Sequence, residues 1–244
     1  MIDKLDLVSI ISKYHLGGMI KAVRWNVKDN NLGIGFNSPS MEMIGNLEYK
    51  GFPLEDASIA ISDTTQLNKL VGITNGYLNL EFVKQNKLPI QLIIADNQYT
   101  LNYALADLML FAEAGQLEQE PEYDVIAELD NESISAIVKA KQALVDTNTV
   151  VLRSSPNDDG EDRLEMCFAG NIAFSNKVSF YLNEVEMKTQ DLNENYDSNM
   201  IKEIMYANKD MPQGKMSISS EGLMKLEFED EKIKSTYYTV AKEK

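Results

Sequence analysis

His15 is the only histidine and Cys167 the only cysteine among the 244 residues. A histidine-based triad would have to use His15, and a metal site built from several histidines is excluded. His15 follows an apolar helical stretch, the setting of a structural or exposed histidine. Cys167 stands on an expected strand between Met166 and Phe168, with no basic neighbour to stabilise a thiolate. A lone cysteine forms no intrachain disulfide, in keeping with a reducing compartment. The acids Asp158, Asp159, Glu161 and Asp162 suggest calcium, but they lack the regular alternation of an EF-hand loop, and a hairpin turn explains them. Gly17-Gly18 lacks the spacing of a phosphate loop and follows a helix. Carboxylate pairs of the kind glycosidases and nucleases use stay open at this stage.

The remaining chemistry is that of charge. The net charge is −15, which at first sight argues against nucleic acid, because phosphates are neutralised by Lys and Arg. Net charge governs solubility and long-range repulsion, whereas binding depends on where the positive groups sit. A 44% hydrophobic content is enough for an ordinary core. No apolar run approaches the roughly 20 residues of a membrane helix. The start, Met1 to Asp6, has no basic region followed by an apolar stretch, so no signal peptide is expected.

The elements that must carry these charges alternate between two periods. Val23, Trp25 and Val27 fall on one face of a strand, with a turn at Asp29-Asn30-Asn31 and a return over Leu32 to Phe36. Strands are expected at Met41 to Tyr49, Ala57 to Ile61, Tyr77 to Val83, Ile90 to Ala95 and Tyr99 to Leu105. Helical spacing appears at Leu5 to Tyr14, ended by Gly17-Gly18, and at Thr64 to Ile73, ended by Asn75-Gly76. The acidic stretch Glu113 to Asp124 reads as a linker. It divides the chain into domains over 1–114 and 123–244, with 115–122 between them. Beyond it come a strand at Tyr123 to Leu129, a helix from Asp130 or Asn131 to Val145, and strands at Asn148 to Arg153 and Arg163 to Phe168. Strands near Ala173 and from Val178 to Met187, a helix from Asp197 to Asn208, and final strands at Leu223 to Phe228 and Ile233 to Ala241 complete the reading.

The plan repeats. Ser9 to Lys13 resembles Ser135 to Lys139, Gly76 to Leu80 resembles Gly214 to Ile218, and Leu92 to Ala106 resembles Leu226 to Ala241, all in the same order. This duplicated order, two helices and about eight strands in each half, resembles the DNA sliding clamp family, and the clamps of tailed bacteriophages most of all. The likeness is carried by Asp130 to Lys141 with the following Ala143 to Leu152, by Asn208 to Lys215, and by the terminal Tyr237 to Lys242. It covers nearly the whole chain by topology and has no diagnostic motif.

The resemblance implies an α+β fold of two tandem clamp domains, each with two helices packed on antiparallel sheets. It also implies a homotrimeric ring with helices lining the hole. The ring would encircle duplex DNA without reading its sequence and tether a DNA polymerase, with a clamp loader opening it. No enzymatic activity, cofactor, metal or membrane is implied. The location would be cytoplasmic, in the bacterial host if phage-encoded. The helical lysines Lys4, Lys13, Lys69, Lys139, Lys141, Lys202 and Lys209 are then the candidates for the channel, with Lys13 and Lys139 at matching repeat positions. Glu203 and Asp6 dilute this basic pattern. Phe36, Leu117, Tyr238 and Val240 match the region that receives a partner's peptide in the family. A non-enzymatic phage structural or adaptor β-rich protein would share the strands, the acidity and the missing catalytic groups. The duplicated helix pairs with their lysines favour the clamp.

Overall fold

A computed structural model describes residues 1–156, 162–169, 175–189 and 191–242. Of the expected turn over 156–160, residues 157–160 lie outside the described residues, as do the acids Asp158, Asp159 and Glu161 and the strand near Ala173. The chain divides into two compact units: Met1–Gln116 with Asp230–Ser235, and Leu117–Glu229 with Thr236–Lys244. The expected second domain, 123–244, includes 230–235, which here group with unit 1. Within unit 1, Lys232 bonds Asp6 (2.9 Å), Tyr49 donates to the same carboxylate (2.8 Å), and the Lys50 amide donates to the Lys232 carbonyl (2.8 Å).

Unit 1 contains β1 (Ile2–Asp3), α1 (Lys4–His15), β2 (Val23–Lys28), β3 (Asn31–Asn37), β4 (Met43–Lys50) and β5 (Ala57–Ile61). It continues with α2 (Thr64–Gly72), β6 (Tyr77–Gln85), β7 (Leu88–Ala95) and β8 (Thr100–Ala104). One sheet runs β1-β6-β7-β8, and β5-β2-β3-β4 are neighbours in a second. Alternation decides which faces are buried: Val23, Trp25 and Val27 on β2 point into the core, as do Leu32, Ile34 and Phe36 on β3. Trp25 sits edge-on to Tyr14 of α1 (6.5 Å) and to Phe52 (5.7 Å).

Unit 2 contains β9 (Val125–Leu129), α3 (Asn131–Ala143), β10 (Thr149–Pro156), β11 (Asp162–Ala169), β12 (Lys177–Tyr181) and β13 (Val185–Met187). It continues with β14 (Asn193–Asp197), α4 (Ser198–Ala207), β15 (Gly214–Ile218), β16 (Leu223–Glu229) and β17 (Ile233–Val240), the first three residues of which fall in unit 1. Its sheets run β12-β11-β10-β14 and β13-β9-β15-β16-β17. The second half therefore copies the first strand for strand, with β13 the addition. The single strand expected over Val178 to Met187 is two: β12 pairs with β11 and β13 with β9. Glu184, at φ 51°, lies at the turn between them.

Side-chain devices repeat as well. Asp3, Asp63, Asp130 and Asp197 each cap a helix N-terminus by accepting backbone amide protons. Thr64 donates its hydroxyl to the Ile20 carbonyl, and Ser198 donates to Thr147 (2.6 Å). The Thr64 and Ser198 amides donate to the carbonyls of Lys21 and Asn148. In both units a glycine lies across from a phenylalanine on the neighbouring strand, Gly45 against Phe36 and Gly214 against Phe228. A Cβ on either glycine would fall well inside the van der Waals shell of that ring. Gly214→Ala should therefore cost about 1–3 kcal/mol, the usual penalty for forcing a packed side chain aside. A urea melt with an unchanged midpoint would show that Phe228 moves freely.

On β11 the carboxylate of Glu165 is buried and accepts from Arg153 Nε (2.6 Å), its cross-strand partner. The bond to Arg153 holds this carboxyl below the usual carboxylate range, against the upward push of burial. A depressed folded value means the stabilisation is present above the usual carboxylate range and is lost as pH falls through it. Melting temperature should thus fall less between about pH 5 and pH 3 in Glu165→Gln than in the parent. Parallel pH profiles would count against this role.

Candidate nucleic-acid interface

In unit 1, α1 packs against α2; in unit 2, α3 packs against α4. The apolar faces of these helices, with Leu7, Ile10 and Ile11 on α1 and Ile134, Ile137 and Val138 on α3, are buried. On α2 and α4 the buried residues include Leu67 and Val71, and Ile201, Ile204 and Met205. The opposite faces are open, and the candidate lysines divide sharply there.

Lys139 on α3 and Lys209 just beyond α4 are exposed, and Lys202 on α4 is half-buried. Lys202 is bonded to Glu203, and the Lys209 ammonium lies 4.0 Å above the ring of Tyr206, itself 49% exposed. Lys202, Tyr206 and Lys209 form one stripe at helical spacing. Tyr206 was not among the expected site residues, although its place between the two lysines was the available signal.

Lys13 and Lys141 are buried, so neither offers its ammonium to a ligand in this structure. Lys13 donates to Ser9 Oγ (2.7 Å). Lys141 donates to the carbonyls of Leu144 and Val145 (3.2 and 2.7 Å), completing the end of α3. Burial first, and then the nearby Lys202, pull the Lys141 pKa down. Lys4 donates to the carbonyls of Gly72 and Thr74, so its charge closes the end of α2. Lys69 is exposed on α2.

The matching of Lys13 with Lys139 is off by one residue. The helix-to-loop bonds pair Ile20 with Thr147 and Lys21 with Asn148. Counting back along both helices pairs Ser12 with Lys139 and Lys13 with the buried Ala140. One residue is about 100° of helix, which turns Lys13 into the core. His15 belongs to the same junction: its Nδ1 lies 2.9 Å from Thr64 Oγ1, whose own proton goes to Ile20.

The four residues matched to a partner pocket are spread over both units. Phe36, in unit 1, is buried across from Gly45. Leu117, Tyr238 and Val240 belong to unit 2; the first two are half-buried and Val240 is 48% exposed. Tyr238 donates to Glu120 Oε1 (2.5 Å), Tyr123 donates to Oε2 (3.1 Å), and Lys225 bonds the same carboxylate (3.3 Å). Partial burial pushes the Glu120 carboxyl up, but the bonds from Tyr238 and Lys225 outweigh it and hold the group below the usual carboxylate range. Burial and then this carboxylate raise the Tyr238 hydroxyl. Glu120, Tyr123 and Lys225 fasten the linker to the last hairpin of unit 2, a cluster the sequence reading missed.

Cys167 is buried on β11. Among the described residues no cluster of three or more His, Cys, Asp or Glu side chains could hold a metal ion, and no helix is long and apolar enough to cross a membrane.

No protein-family model and no curated protein matches the chain. Solved structures do match, over nearly its whole length. The proliferating cellular nuclear antigen of Entamoeba histolytica is 16% identical with a TM-score of 0.78, covering 99% of this chain and 96% of its own. The PCNA2–PCNA3 complex of Sulfolobus tokodaii matches at 12% identity and a TM-score of 0.77, covering 99% and 98%. The A. fulgidus PCNA, solved with the C-terminal region of FEN-1 bound, matches at 13% and 0.78, covering 100% and 97%. The chain thus has the PCNA-like sliding-clamp fold: α+β, with four helices on antiparallel sheets in tandem domains.

Proposed function

We propose that this chain is the protomer of a DNA sliding clamp, a non-enzymatic homotrimeric ring of the tailed-phage type that tethers a replicative DNA polymerase to duplex DNA. The observation that carries the reading is the whole-chain likeness to the PCNA fold at TM-scores of 0.77 and 0.78. Lysines kept on open helix faces of an otherwise acidic protein support it. Strands β8 and β12 end their sheets. Neither contains proline, and Lys177 is the only charge on them. Such edges are templates for strand pairing, and joining β8 of one protomer to β12 of the next is a head-to-tail contact that can close a ring. DNA inside would be touched at phosphates alone, which suits sliding. A clamp loader supplies the energy of opening.

The polymerase would dock by a short apolar peptide beside the linker, on Leu117, Tyr238 and Val240 of unit 2. A relative solved with a C-terminal region of FEN-1 bound gives the precedent for peptide capture. Tyr238→Ala and Leu117→Ala should each weaken polymerase binding about tenfold, the effect of losing one apolar anchor. The trimer should stay intact. Unchanged binding in both variants would remove these residues from the site. The function itself is tested by extending a primed template under conditions of one polymerase binding event. Longer products with the protein are expected, and equal lengths would contradict the reading.

A further inference from the structure

Once the two units are aligned by their shared hydrogen bonds, the open helix faces differ in charge wherever unit 2 carries a lysine. Thr64 pairs with Ser198, Leu67 with Ile201 and Val71 with Met205, each residue buried like its counterpart. The same register pairs Lys202 with Asn68, Tyr206 with Gly72 and Lys209 with Asn75. On the first helix of each unit it pairs Lys139 with Ser12. Each cation on the open face of unit 2 thus meets a neutral residue in unit 1. Gly72 has no side chain to offer, and its carbonyl takes the Lys4 ammonium (2.9 Å). Unit 1 does carry Lys69, but at the position of Glu203, about 100° round the helix from the stripe.

We propose that the duplex is held by unit 2 alone, through Lys139, Lys202 and Lys209, with Tyr206 as the positioning residue that orients Lys209. Unit 1 acts as a spacer that completes the ring while leaving the DNA free to move past it. This rests on the clamp reading above and says which half of each protomer does the holding. The ring face of Tyr206 attracts the Lys209 ammonium and limits the directions it samples. Glu203 holds Lys202 in reserve, since a phosphate must displace that carboxylate to reach it. Confining contact to one unit of each protomer keeps the number of grips low, which favours sliding over tight binding.

The test measures binding of the full-length protein by anisotropy across a salt series, on a fluorescein-labelled duplex whose two ends are capped with streptavidin after the protein is added, so that a ring cannot slide off. Lys139→Ala/Lys202→Ala/Lys209→Ala should abolish nearly all of the slope of log affinity against log salt. A residual slope of half the parent's or more would place the contacts elsewhere and overturn the proposal. Tyr206→Ala should weaken binding about threefold, and Tyr206→Phe should restore it, because the ring and not the hydroxyl faces the ammonium. A neutral Tyr206→Ala would overturn its positioning role. Lys139, Tyr206 and Lys209 are exposed and Lys202 is half-buried, and unchanged melting temperatures will confirm that the variants fold. A parent that does not bind duplex at any salt would sink the clamp reading as well, whereas a large residual slope sinks only the assignment to unit 2.

Discussion

The Lys139→Ala/Lys202→Ala/Lys209→Ala variant is expected to fold, to assemble and to bind polymerase like the parent, yet to support processive synthesis poorly once salt is raised. Lys139 and Lys209 are exposed and the half-buried Lys202 is bonded to Glu203, so none of the three is a core side chain. What they remove is phosphate neutralisation. Losing about three simultaneous contacts lowers the salt exponent by about 2.7, a change of about 40-fold over a fourfold rise in salt. The deficit should be the same on any template sequence, because no base edge is read. Processive synthesis on primed DNA across a salt series measures this directly. A variant that matches the parent at every salt concentration would show that these lysines do not line the hole.

The second large effect concerns assembly. The parent should sediment at three times the protomer mass, and a Thr100→Lys/Asn102→Lys variant should sediment as the protomer. Both residues are exposed on β8, the end strand of its sheet. Lysines on an edge are a common means of blocking strand addition. A ring has no half-measure: with one joint weakened in each protomer, every joint is weakened, and closure is lost. Stimulation of the polymerase should disappear with the trimer, even though Lys139, Lys202, Lys209, Leu117 and Tyr238 are untouched. A variant that remains trimeric would move the subunit joint away from β8, and a parent of protomer mass would contradict the ring.

Much of this architecture can be seen in the sequence because local signals agree with the tertiary result. Asp3, Asp63, Asp130 and Asp197 announce four helices, and apolar residues at helical spacing say which face each will bury. Strands with clean alternation, such as Val23 to Lys28 and Ala57 to Ile61, were readable for the same reason. Strand β14 was missed because Asn193, Glu194, Asn195 and Asp197 flank one buried tyrosine, so no alternation is visible. Its partner β10 builds it through the ladder. The site was harder. Lys13 and Lys139 looked equivalent because the flanking serines and isoleucines align by eye, but a helix converts a slip of one residue into the difference between core and surface. The caps would have given the right register. Asp3 and Asp130 open the two helices and already pair Lys13 with Ala140. The Glu120 cluster left no trace in the sequence because Tyr123, Lys225 and Tyr238 reach it from three separate segments.

A sliding ring is linked to DNA by topology, and topology can be measured. The protein is loaded onto a nicked circular duplex, freed of unbound material by gel filtration, and the DNA is then cut once. A clamp should elute with the circle at salt concentrations that abolish ordinary phosphate contacts and should leave the DNA when the cut gives it ends. Protein that leaves the circle as readily as the linear form, or that stays on after cutting, would contradict a sliding ring.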